Sequence, residues 1–154
     1  MAIKQAYNTL RKKYKELPDF DKLNNEFEIS TIEKEDFLLR DIKRKISEKI
    51  QQLQELLEKI INPELKSFAD VYECRCFTNT EKQQVLEIYK QLLFLDRSIK
   101  ETDLIQDEKT DVKAIKTALK EWPEFRQKAR KLVEKLKECW KKPDRAREAL
   151  EYLG

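Results

Sequence analysis

Glycine occurs once in this 154-residue chain, at position 154, so no internal turn can rest on the residue that adopts positive φ most freely. Two-residue hairpins, bulges and type II turns need such positions again and again, which removes sandwiches and barrels from the fold classes open to it. No alternating apolar and polar run marks a half-buried strand, and no segment repeats with a solenoid period. Helices with polar connections remain.

Apolar spacing supports the same conclusion. Ile3, Ala6, Tyr7, Leu10 and Tyr14 recur every three or four residues and predict a helix from Ala2 to about Glu16, closed by Pro18. Phe20, Leu23 and Phe27 predict a short one over 19–27. Ser30 with Glu33 has the spacing of a capping box, and it predicts a long helix from Thr31 to Ile61. Leu39, Ile42, Ile46, Ile50, Leu53, Leu57 and Ile60 would form its apolar stripe over roughly 45 Å. Leu65, Phe68 and Tyr72 predict a short helix beyond Pro63, and Thr78 with Glu81 gives a second capping box.

The helix that follows should run from about Thr80 to Lys100, with Val85, Ile88, Tyr89, Leu92, Leu95 and Ile99 aligned. A polar break from Glu101 to Lys109 then precedes a helix carrying Val112, Ile115, Leu119 and Trp122. Pro123 fits the first position of another helix, with Phe125, Ala129, Leu132, Val133, Leu136 and Trp140 on its apolar face. Pro143 would open a last short helix with Ala146, Ala149 and Leu150. The expected fold is all-α, an antiparallel helical bundle of about four main helices plus short ones, forming a single domain over 1–154 with one long central helix. The extra length of that helix should wrap around the bundle or pack on a second copy, which makes a homodimer an expectation as well.

Charge is the unusual part of the composition: 41% of residues are Asp, Glu, Lys or Arg, against a usual quarter. Fourteen aromatics (seven Phe, five Tyr, two Trp) and periodic apolar residues oppose disorder. No window is apolar enough to span a membrane, and Met1 to Tyr7 has no secretory apolar region, so a soluble cytoplasmic protein is expected. Three cysteines, Cys74, Cys76 and Cys139, agree with a reducing compartment, being odd in number with the first two too close for an easy bridge.

The lack of histidine removes the commonest general base, the commonest metal ligand and the usual partner of a nucleophilic Ser or Cys. Without internal glycine there is no phosphate-cradling loop either. The acidic group Glu33, Glu35 and Asp36 reads as dipole-favoured residues of a first helical turn rather than as catalytic carboxylates. Cys74 and Cys76 read as small buried side chains rather than zinc ligands, since a structural zinc site takes four Cys or His. No enzyme, cofactor or metal is expected.

The overall +3 hides a polarised distribution. From Glu16 to Asp36 eight acids face two bases, a net of −6; from Arg126 to Lys142 eight bases face two acids, a net of +6. Placed on a helix, Lys128, Lys135 and Lys142 fall along one flank of the apolar face, and Arg126, Arg130, Lys137 and Lys141 along the other, with Lys131 outward. Such rows either cover core edges with their stems, neutralise the acidic segment, or form a track for phosphates extended by Lys113, Lys116 and Lys120. The turn at Pro123 lacks the glycine and the base-reading side chains of a helix-turn-helix, so any nucleic-acid contact would go to the backbone. The leading expectation is a non-enzymatic adaptor or accessory subunit with a protein partner. The alternative is nucleic-acid binding through the basic 113–142 helix pair.

Overall fold

A computed structural model describes residues 2–141. Among them the structure is all-α, with six helices: α1 (Ala2–Lys13), α2 (Phe20–Phe27), α3 (Leu38–Ile61), α4 (Phe68–Arg75), α5 (Asn79–Ile105) and α6 (Glu108–Cys139). A short 3₁₀ turn, Ile29–Thr31, follows α2. The residues group into two compact units, Met1–Gln51 with Phe94–Pro123, and Gln52–Leu93 with Glu124–Gly154. The helix expected after Pro143, with Ala146, Ala149 and Leu150, lies outside the described residues, as does Lys142.

In the first unit α1, α2 and the 3₁₀ turn bury Ile3, Tyr7, Phe20, Leu23, Phe27 and Ile29 together with Leu39, Ile42, Ile46 and Ile50 of α3. Leu95 and Ile99 of α5 and Val112, Ile115, Ala118 and Trp122 of α6 are also buried there, and the rings of Phe27 and Trp122 lie 5.7 Å apart. Tyr7 donates its hydroxyl proton to the Pro18 carbonyl at 2.5 Å, closing the turn between α1 and α2, and burial pushes its pKa strongly upward. Ile46 packs where the apolar series predicts. Ile46→Ala is therefore expected to cost about 2–5 kcal/mol in a urea titration, and a loss below about half a kcal/mol would mean its side chain is not in the core.

The second unit buries Leu53, Leu57 and Ile60 of α3 with Val71, Tyr72 and Phe77, Val85 and Leu92 of α5, and Phe125 and Leu136 of α6. Glu81, near the start of α5, pairs with Lys135, near the end of α6, as antiparallel neighbours should. The capping box at Thr78 forms: its N–H donates to Glu81 Oε1 at 2.9 Å, and the Glu81 N–H donates to Thr78 Oγ1 at 3.2 Å. The stripe of α3 from Leu39 to Ile60 is thus buried.

Three boundaries depart from the periodic reading. The Ser30 capping box does not form, because the Ser30 N–H already donates to Asn24 Oδ1 at 2.8 Å and burial of Ile29 and Ile32 holds the segment in a compact turn. Helix α3 instead begins at Leu38, with the Asp41 N–H donating to the Phe37 carbonyl at 2.9 Å, and its 24 residues span about 36 Å. The polar break after Lys100 shrinks to Gln106 and Asp107, since Thr102 is buried and keeps α5 helical to Ile105. Pro123 lies inside α6 rather than opening a new helix: it forfeits a backbone bond, and buried Trp122 and Phe125 on either side hold the helix together. The helix pair expected over 113–142 is consequently one helix as far as Cys139, and the comparison with a helix-turn-helix loses its turn. Positive φ falls on Glu28 at 55° and Gln106 at 58°, at the exits of α2 and α5, where glycine commonly sits.

Candidate functional site

The basic residues of α6 meet different fates. In the first unit Lys113, Lys116 and Lys120 are exposed and make no ion pair among the described residues. In the second unit Lys128 pairs with Glu124 at 3.1 Å, Arg130 with Glu134 at 3.5 Å and Lys141 with Glu138 at 3.2 Å. Lys135 is half-buried, paired with Glu81 and set 4.9 Å above the Phe77 ring. Arg126, Lys131 and Lys137 are exposed. The flank of Lys128 and Lys135 is thereby taken up by acids and an aromatic ring of its own unit, as core-edge cations are. Within the first unit, Asp21 pairs with Lys4 at 3.5 Å, Asp19 with Arg11 at 3.6 Å and Glu28 with Lys49 at 3.5 Å.

A site the periodic reading missed lies in the first unit. Lys43 of α3 is 4% exposed, and its ammonium donates to Thr102 Oγ1 at 2.8 Å, Asp103 Oδ1 at 2.5 Å and Asp111 Oδ1 at 2.8 Å. One lysine thus ties α3 to the last turn of α5 and the first turn of α6. It forms the floor of a cavity of about 830 Å³ whose rim carries Phe37, Arg40, Arg44 and Lys100. The Arg40 guanidinium stacks 4.7 Å above the Phe37 ring, Arg44 pairs with Asp41 at 3.5 Å, and Lys100 with the fully buried Asp96 at 2.9 Å. All three Lys43 donors are spent on neighbours, so the group is placed as a structural clamp. Its signal lay in the sequence: Lys43 occupies an apolar-face position between Leu39 and Ile46, as Asp96 does between Leu92 and Ile99. A charge inside an apolar stripe calls for a partner elsewhere in the chain.

The outward side of α5 in the same unit carries exposed apolar side chains, two of them where a polar break was expected. Phe94, Leu104 and Ile105 are 77%, 86% and 52% exposed. With Arg97 and Glu101 they occupy about 100° of the helix circumference, opposite buried Leu95, Ile99 and Thr102. Arg97 reaches the Asp96 carboxylate at 2.5 Å, and Tyr14 donates to Glu108 Oε2 at 2.6 Å, a bond that raises the Tyr14 pKa.

In the second unit Cys76 and Cys139 form a disulfide with their Cα atoms 6.1 Å apart, while Cys74 is a buried free thiol. This corrects the reading of three separate thiols. Among the described residues no group of three or more His, Cys, Asp and Glu is placed to hold a metal ion, and no helix is long and apolar enough to cross a membrane. No family model, no curated protein and no solved structure matches this chain.

Proposed function

We propose that this is a non-enzymatic helical interaction protein, an adaptor or accessory subunit that docks on a protein partner through the outward face of α5. The observation that carries the reading is the exposure of Phe94 and, about three turns further on, of Leu104 and Ile105 on one side of a well-packed helix, since large apolar side chains left exposed along one face favour association. Two further features support it. The chain has no histidine, and Lys43, a buried cation lining the 830 Å³ cavity, has its three donors committed. A cytoplasmic setting belongs to the proposal; the Cys76–Cys139 disulfide weighs the other way, because such bonds persist mainly in oxidising compartments.

Nucleic-acid binding draws less support, because Lys128, Arg130, Lys135 and Lys141 already meet acids of their own unit. Exposed Lys113, Lys116 and Lys120 are what favours it.

The test compares Leu104→Glu with Lys116→Glu. Both are surface changes expected to alter stability by less than about 0.5 kcal/mol. Proteins that co-purify with the wild type from its native cells should be lost with Leu104→Glu and kept with Lys116→Glu. Labelled DNA or RNA should bind weakly, with a shallow salt dependence. Steep salt-dependent binding abolished by Lys116→Glu would overturn the reading in favour of phosphate recognition.

A further inference from the structure

Resting on that reading, we infer that the occupant of the outward α5 face is a second copy of the same chain, packed with its own α5 antiparallel. The pattern of the face is self-complementary. A two-fold axis makes residue i of one copy meet residue j of the other and residue j meet residue i, so an isologous face must pair with its own reversal. Reversing the segment about its midpoint places Phe94 of one copy on Leu104 of the other and, in the same register, Arg97 on Glu101. Each pairing occurs twice, at equal distances on either side of position 99. Ile105 adjoins Leu104 at the same end of the face and extends the apolar area there.

The charged pair suits the role. Arg97 is 62% exposed and spends one terminal nitrogen on Asp96, leaving donors for a carboxylate across the interface, and the Glu101 carboxylate is exposed and makes no ion pair among the described residues. A parallel arrangement would set Arg97 against Arg97 and Glu101 against Glu101, a repulsion that selects the antiparallel register. The face is only about 16 Å long, below the extent of a standard interface, so the dimer should be weak, with Kd about 10–100 µM. It should weaken further as salt screens the two Arg–Glu contacts.

Sedimentation equilibrium from about 5 to 500 µM tests this on the full chain. The wild type should move from monomer to dimer across that range. Arg97→Glu alone and Glu101→Arg alone should each weaken association by at least about tenfold, because each sets like charges together twice. Mixing the two variants in equal amounts should restore a dimer, since both contacts are then of opposite sign. Only an isologous pairing of these residues makes that prediction, and it also controls for the loss of the Arg97–Asp96 contact. A monomer at every concentration overturns the second-copy inference. So does a dimer indifferent to both reversals, or one that mixing fails to restore. If the chain stays monomeric while Leu104→Glu still removes co-purifying proteins, this inference fails and the interaction reading stands.

Discussion

Lys43→Ala is expected to destabilise the protein by about 3–5 kcal/mol, which would make it among the most damaging single substitutions in the chain. The reason is what stays behind. Asp111, only 15% exposed, would keep a carboxylate in the interior with no cation on it, and Thr102 would lose its charged partner. Asp103 is 54% exposed and can turn to water, so the damage should centre on Asp111. A Lys43→Met, Asp111→Leu double variant should recover most of the loss, because a buried ion pair replaced by apolar side chains of similar size is often neutral or stabilising. The difference between the two variants separates the cost of an orphaned charge from the worth of the pair. Urea titrations followed by Trp122 fluorescence, with Trp140 replaced by Phe, would report on the unit that holds the clamp. A loss below about 1 kcal/mol for Lys43→Ala would show that these contacts do not form in solution.

What could be read from the chain follows the range of the physics involved. The buried stripe of α3 was legible because Leu39, Ile42, Ile46, Ile50, Leu53, Leu57 and Ile60 repeat at helical spacing, and periodicity is a local property. The Thr78 capping box was legible for the same reason, both partners lying within one turn. The Ser30 box has the same letters and fails because Asn24, outside the four-residue pattern, takes the amide first. Local motifs compete with near neighbours, and spacing alone does not decide the winner.

The candidate site was less legible because its members are far apart in sequence. Lys43 meets Thr102, Asp103 and Asp111 at separations of 59 to 68 residues, and nothing within a helical turn of Lys43 announces them. The polar composition from Glu101 to Lys109 suggested a break, yet Thr102 and Asp103 are polar because they face that lysine. Keeping them helical carries Leu104 and Ile105 onto the outward face, so one long-range ion pair decides whether the proposed docking surface exists. The basic residues of α6 show the reverse problem. Their number was plain in the sequence, but which of them meet Glu124, Glu134, Glu81 and Glu138 depended on rotamers and on packing against α5.

Breaking the Cys76–Cys139 bond should cost the protein about 4 kcal/mol. The two cysteines are separated by 63 residues, and a cross-link closing a loop of that length removes about this much conformational freedom from the unfolded chain. The native geometry can carry the bond, since the Cα separation of 6.1 Å lies in the ordinary range. Neighbouring contacts position it: the Tyr72 hydroxyl donates to the Cys139 carbonyl at 2.5 Å, and the Trp140 ring stacks on Tyr72 at 4.2 Å while its Nε1 donates to Glu73 at 3.0 Å. Cys76→Ser and Cys139→Ser should each lose the full amount, and the double variant no more than either, because one bond is being removed three ways. Dithiothreitol should shift wild-type unfolding to match these variants and leave the variants themselves unmoved, with Trp140 fluorescence, after replacement of Trp122 by Phe, reading the unit concerned. Cys74→Ser should retain the reductant response, since its thiol is free. A wild type indifferent to reductant, or one whose response survives in Cys139→Ser, would sink the assignment of this pair.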